Sequence, residues 1–449
     1  MIFSTLPFLY FFIVYTIVWF LSPERFRIGI IIIFSIFFYG YWNWNYIILP
    51  VILTFMTFLC TNYLMSNKQR MNKRNLIIIV ILISLPLIYF KYFNFIFNIK
   101  LVDFPIPLGI SFITFTLIAY IVDVYKNVIP KENKFSILFA YIMYYPQLIA
   151  GPILRPQELI PQLKNISKAT SKMKIAAITI FSIGLSKKIL FADQLSFYVD
   201  SVYIEPLKGT FLQWIVAFYA FPVQLYCDFS GYTDMAIGLA LFFGIVLPLN
   251  FNKPYLSTSI SDFWRNWHIS LSSWIRDYAY FPLGNIVKNM YIRTLIVMTL
   301  VGLWHGASWT MVIFGFIHGI LVSFSNFFRL NKIHNFLPNV VKIILTFHII
   351  CFTLIFFRAT DINNVMDMFS AMKFIDTLNF NDLHLFLYPV ILIGIFFLTH
   401  KYDNIKEIEI FVGKIKIIYL SLFIVFIWLL SIIVSIMNSG SNKFIYFDF

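Results

Sequence analysis

Residues 417–437 read IIYLSLFIVFIWLLSIIVSIM, twenty-one positions without an Asp, Glu, Lys, Arg or His. At 1.5 Å per residue a helix of that length reaches about 31 Å, the thickness of a bilayer's hydrocarbon core. Comparable runs recur from Leu6 to Leu21, Ile47 to Met65, Leu76 to Phe90, Thr310 to Phe328 and Ile343 to Phe357. Of the 449 residues 60% are hydrophobic and only 12% charged. A soluble fold of that composition would be coated in apolar surface, so lipid is the main solvent. With weaker runs counted, the pattern predicts an all-α, polytopic membrane protein of about a dozen transmembrane helices. The first run has no basic start and no small-residue cleavage site, and reads as a retained span. No soluble domain, internal repeat or low-complexity linker fits between the spans, which predicts one membrane domain over residues 1–449.

The formal net charge is +14, and its placement excludes nucleic acid as the partner. Lys68, Arg70, Lys73 and Arg74 fill one short loop without an acidic residue, the mark of a cytoplasmic loop. Lys126, Lys131 and Lys134 form another, as do Arg329, Lys332 and Lys342, and then Lys401, Lys406, Lys414 and Lys416. The acidic segment with Asp361, Asp367, Asp376 and Asp382 belongs outside. Counting spans from these loops places both termini outside the cytoplasm. The stretches Tyr141 to Lys174 and Asn252 to Tyr291 are neither clean spans nor clean loops, and are candidate re-entrant or interfacial segments. Cys60, Cys227 and Cys351 show no metal-ligand spacing and read as buried thiols; no His and carboxylate spacing suggests a metal site.

In so apolar a chain the informative positions are polar groups embedded in hydrophobic sequence. An ionisable side chain at a helix centre costs about 2.5–3.5 kcal/mol on insertion scales, so it faces a cavity or a partner. Pro107-Leu108-Gly109-Ile110-Ser111-Phe112, running on to Asp123, and Ala150-Gly151-Pro152-Ile153-Leu154-Arg155 are dense in helix breakers. They predict either irregular backbone lining a pocket or a kinked helix pair. Asp228 and Asp234 precede a segment rich in Arg and Trp, with Arg265, Asn266, Trp267, His268 and Arg276. These groups either pair with one another or line a passage for an anionic group, whereas a Trp/Arg-rich helix can equally lie at the interface. Trp304-His305-Gly306 interrupts two apolar runs. With Gly302 and Gly306 on either side, a substrate could approach the imidazole closely, and a neutral imidazole can take a proton from a hydroxyl or thiol. The bland alternative for His305, as for His268, His318 and His348, is a histidine satisfied in helix packing.

Taken in order, these clusters resemble the membrane-bound O-acyltransferase family, in its bacterial branch that O-acetylates exported polysaccharides such as alginate and peptidoglycan. The matching segments run from Pro107 to His318 and extend to Phe356-Phe357-Arg358-Ala359 and Phe444-Ile445-Tyr446-Phe447-Asp448-Phe449. The resemblance implies helices around a central funnel and a catalytic histidine at His305, beside Trp304. A second family position, Asn or His, falls on His268 or Asn266. Asp228, Asp234, Arg265, Arg276 and His318 would shape the funnel. The chain departs from the pattern at Asn266, where many members have a second Arg, and at Thr116, where many have Gln. After Phe281-Pro282-Leu283-Gly284 the usual basic glycine loop shortens to Asn285-Ile286-Val287-Lys288.

The resemblance further implies acetyl-CoA as donor substrate with no tightly bound cofactor, a polysaccharide acceptor, and a separate extracytoplasmic partner with a serine-hydrolase-like fold. It makes Tyr446, in the tail 438–449, a transient acyl acceptor. From Asn438 to Tyr446 the tail could extend about 27 Å, beyond the roughly 15 Å to the midplane. A phenol of pKa about 10 needs a base to attack a thioester at neutral pH, which His305 would supply. D-alanyl transfer to teichoic acid is the alternative within the class, and a polytopic transporter is the alternative outside it. The bacterial cytoplasmic membrane is the expected location.

Overall fold

The computed structural model describes residues 1–64, 72–99, 105–330, 337–372 and 383–437. Among these every regular element is helical. The apolar runs become the helices Leu6–Leu21, Ile48–Leu64, Lys73–Leu87, Trp309–Leu330, Asn339–Arg358 and Ile417–Met437. Their ends follow local chemistry. The side chain of Asn72 accepts from the Arg74 amide, and that of Asn289 from Tyr291 and Ile292, satisfying amides that a helix start leaves orphaned.

Six helices are long and apolar enough to cross a membrane. A seventh span arises if Phe386–His400 and Ile405–Val412, bent by 73°, count as one. The expected dozen is not reached by that measure among the described residues. Part of the difference is length: Leu6–Leu21, Ile110–Tyr125 and Met290–His305 are apolar but have only 16 residues each. Only 17% of the Ile417–Met437 window is buried. Its outward Leu422, Phe426 and Ile433 are more than half exposed, as suits a face solvated by acyl chains.

By internal contacts the chain forms two compact units. The first holds the described part of Met1–Ile178 with Met235–Pro248. Its core is a ring cluster in which Tyr145 meets Phe11 at 5.4 Å and Tyr15 at 5.5 Å. Here the segment predicted as re-entrant is irregular from Tyr144 to Arg155 before the short helix Pro156–Lys164. Gly109, at φ 65°, lies so close to the Leu148 carbonyl that a Cβ would collide with it. The first breaker-rich stretch thus brings its backbone against the irregular segment just ahead of the second, as Gly109 allows.

The second unit holds Thr179–Asp234 and the described residues from Leu249 onward. Its other predicted re-entrant segment is broken into the seven-residue helices Ile260–Asn266 and Ile269–Ile275, a π-helical turn at Arg276–Tyr280 and a loop. Ile260–Asn266 spans about 10 Å, and the run from Ile269 through the π-turn to the short helix Phe281–Leu283 about 22 Å, both short of the roughly 30 Å of a bilayer core. A second π-helical turn, Lys187–Ala192, interrupts the apolar helix that starts at Ser171. The thiols are free, with Cys227 and Cys351 buried and Cys60 half-buried.

Candidate active site

His305 is the last residue of the helix Met290–His305, which stops at the extended Gly306. The next helix, Trp309–Leu330, folds back against it. A Cβ on Gly302 would sit 2.8 Å from the Gly315 Cα and collide with the Met311 carbonyl. Gly302 therefore serves the close approach of two backbones and does not open a path for substrate, correcting the sequence expectation. The imidazole of His305 is 3% exposed. Its ring lies 4.9 Å from Trp304 and 5.4 Å from Phe357, with Phe314 at 6.5 Å.

His305 lines a narrow cleft that side chains largely fill. Its walls are mainly aromatic, from Tyr255, Phe263, Trp264, Trp267, Phe314 and Phe357, with His318 also at the wall. No Asp, Glu, Lys or Arg is among the lining residues. His318 has both ring nitrogens engaged. Nδ1 accepts from the Trp264 indole N–H at 3.1 Å, so the ring proton sits on Nε2 and is donated to Thr353 Oγ1 at 3.0 Å. Thr353 gives its own proton to the Ile350 carbonyl. This histidine is a hydrogen-bonded wall.

His268 joins the two short helices in a left-handed conformation, φ 44°, and is fully buried. Its Nδ1 is 3.1 Å from Asn250 Oδ1. The Phe229 ring meets it edge-on at 4.7 Å, and Trp304 lies 6.2 Å away. Burial, and secondarily the neighbouring His305, push its pKa well below the ordinary imidazole value. Trp304 therefore packs against both His268 and His305.

Asn266 is occupied within its own loop. Its Nδ2 donates to the Asp262 carbonyl at 3.0 Å, and its Oδ1 accepts from Asn252 at 3.2 Å. Asn252 in turn accepts from Asn404 at 2.7 Å, and Lys253 pairs with Glu407 at 2.6 Å. Loop 250–257 is thereby stitched to the corner of the bent helix pair. Tyr255 connects that corner to the cleft: its amide donates to His400 Nε2 at 3.3 Å and its hydroxyl to the Pro222 carbonyl at 2.6 Å.

Asp228 and Asp234 find partners elsewhere than Arg265 and Arg276. Lys187 bridges Asp234 at 2.7 Å and Asp403 at 2.6 Å, and Lys188 bridges Asp228 at 2.7 Å and Asp193 at 2.8 Å. Tyr226 donates to the second Asp403 oxygen at 2.6 Å. Arg265 and Arg276 are exposed, and Arg276 pairs with its neighbour Asp277. The site thus gathers His305, Trp304 and His318, keeps His268 close behind Trp304, and leaves both arginines outside. Tyr446, with the whole tail 438–449, lies outside the described residues.

Several residues that build the site escape sequence reasoning. Asn250, Tyr255 and Asp403 have no distinguishing neighbours in sequence. Lys187 and Lys188 did carry a signal: paired lysines within an apolar run, five residues before Asp193.

Membrane-crossing helices and a buried imidazole at an aromatic cleft are the parts of a membrane-embedded enzyme. Residues 34–359 match the membrane-bound O-acyltransferase family, and the chain belongs to it. It is 34% identical over 388 residues to a peptidoglycan O-acetyltransferase of Helicobacter pylori, covering 76% of this chain and 73% of that one. It is 35% identical over 403 residues to a probable alginate O-acetylase of Pseudomonas aeruginosa, covering 86% and 77%. A teichoic acid D-alanyltransferase of Bacillus subtilis is 30% identical over 266 residues, covering 55% and 67%. The chain is a multi-pass membrane acyltransferase.

Proposed function

We propose that this acyltransferase moves an acetyl group from a cytoplasmic thioester, acetyl-CoA, across the bacterial cytoplasmic membrane for O-acetylation of a cell-envelope or exported polysaccharide. The observation that carries the reading is His305 at the wall of a cleft with no charged lining residue. Two relatives named as O-acetyltransferases of polysaccharides support the acceptor class. An acetyl group is small and neutral. A D-alanyl group brings an ammonium that would find no carboxylate in this lining, which favours acetyl over the chemistry named for the more distant relative.

The chemistry balances through the tail. His305 takes the proton of the Tyr446 hydroxyl, and the phenolic oxygen attacks the thioester carbonyl. The carbon–sulfur bond breaks, and the leaving thiolate recovers the proton from the imidazolium. Acetyl is then an ester on Tyr446, with free CoA as the other product. Phenoxide leaves more readily than an alkoxide, so transfer to the serine of an extracytoplasmic hydrolase-like partner, or directly to a sugar hydroxyl, runs forward. The orientation drawn from the basic loops, with the tail outside, gives the acyl group its exit.

The test is transfer of radiolabelled acetyl from acetyl-CoA to the purified protein. Labelling of the wild type that disappears in His305→Ala and Tyr446→Phe is the expected result. Undiminished labelling of both variants would overturn the scheme. Labelling from a D-alanyl thioester in place of acetyl-CoA would move the protein to the alternative donor.

A further inference from the structure

Three buried histidines, His268, His305 and His318, stand in or behind the cleft, and hydrogen bonds settle the protonation of two. For His318 the fixed donor is the Trp264 indole, which leaves that ring saturated. For His268 the settling group is a backbone amide two residues on. The Ser270 N–H points at the side chain of Asn250 at 3.2 Å. A backbone amide can only donate, so the amide atom facing it is the oxygen. The Ser270 hydroxyl lies on the same oxygen at 2.8 Å. That oxygen, lacking a proton, must receive one from His268 Nδ1 at 3.1 Å. His268 therefore carries its proton on Nδ1, and its Nε2 is a lone pair.

This lone pair is buried. Among the described residues His268 Nε2 has no hydrogen-bond partner, although the residue is 0% exposed. Leaving a buried acceptor unmade is costly, and such a cost persists where function uses the group. The backbone is also committed to the arrangement. His268 holds φ 44°, and the Ile269 amide donates to the Asn250 carbonyl at 2.9 Å. Asn250 thus grips the histidine turn with both its backbone and its side chain. It ends the run Leu247-Pro248-Leu249-Asn250, just ahead of the loop stitched to the bent helix pair.

We propose that Asn250 is a positioning residue of the acyl-transfer site, holding His268 in the tautomer whose Nε2 accepts a hydrogen bond beside Trp304 and His305. This rests on the acyl-transfer reading and adds to it a residue that touches no substrate. Swapping the tautomer would turn an acceptor into a donor at that place, the type of error that costs a hydrolase triad heavily when its orienting group is changed.

The pH dependence of acetyl labelling separates positioning from mere structure. The groups packed against His268 are His305, which is titratable, the Phe229 and Trp304 rings, and Asn250 and Ser270. Asn250→Asp keeps an acceptor on Nδ1–H but adds a negative charge, which stabilises the imidazolium. The acceptor is then lost at higher pH, so the acid limb of the labelling rate moves up by about one unit or more. Asn250→Ala leaves the ring without its orienting oxygen and lowers the rate about tenfold or more at every pH. Ser270→Ala, which keeps the Asn250–His268 bond, retains the wild-type profile. If His268→Ala abolishes labelling while both Asn250 variants match the wild type in rate and pH profile, Asn250 is not a positioning residue and the acyl-transfer reading stands. If His268→Ala labels like the wild type, His268 has no part in the reaction and the proposal falls with it.

Discussion

At the scale of single residues, histidines of similar sequence setting divide by what their nitrogens touch. His318 lines the same cleft as His305, yet Trp264 occupies its Nδ1 and Thr353 its Nε2. It has no lone pair to offer a hydroxyl, so its contribution is to hold the wall. His318→Ala leaves the Trp264 N–H without its acceptor and opens a small void, and a loss of about 1–3 kcal/mol follows. The expected outcome is a lower Tm in detergent with an unshifted pH profile of acetyl labelling. A displaced acid limb would make His318 a proton carrier. Sequence could not have made this division. Trp304-His305-Gly306 stands out because a polar group interrupts two apolar runs, but the partners of His318 lie 54 and 35 positions away.

At the scale of elements, hydropathy located the long helices well. Leu6–Leu21 and Ile417–Met437 begin and end where their apolar runs do, because in lipid only an internally bonded helix satisfies its backbone. Legibility fails where a helix carries charge inward. The Ser171–Tyr203 span contains Lys187 and Lys188, whose carboxylates include Asp228, Asp234 and Asp403, up to 216 positions away. Each ammonium faces two carboxylates, which ties this span to the helix Phe211–Phe242 and, through Asp403, to the corner of the bent pair. That corner also holds loop 250–257 and hence Tyr255 at the cleft. Lys187→Met leaves Asp234 and Asp403 facing one another with no counter-charge, a loss of about 3–5 kcal/mol. Adding Asp234→Asn and Asp403→Asn removes the stranded charges and recovers most of the Tm. Thermal unfolding of the single and triple variants checks this. A single variant as stable as the wild type would mean the lysine bears no structural load.

At the scale of the whole molecule, the proposed reaction turns on which face of the bilayer each end meets, because it takes an acyl group from CoA on one side and delivers it on the other. If the basic loops face the cytoplasm, as the proposed orientation has it, the tail 438–449 falls outside it, where the chemistry proposed for Tyr446 requires it. The protein's own cysteines permit a direct check, since Cys227 and Cys351 are buried and only Cys60 is half-exposed. With Cys60→Ser as background, Asn442→Cys is expected to react in intact cells with a membrane-impermeant maleimide, whereas Asn285→Cys provides a second position for mapping sidedness. Deleting 438–449 leaves the spans of both units in place, so the truncated protein should keep its Tm in detergent while losing acetyl labelling and polymer acetylation together. A tail that reacts only after the cells are broken would reverse the orientation. A truncated protein that still acetylates polymer would make the tail an anchor, with His305 passing the acetyl group to another acceptor.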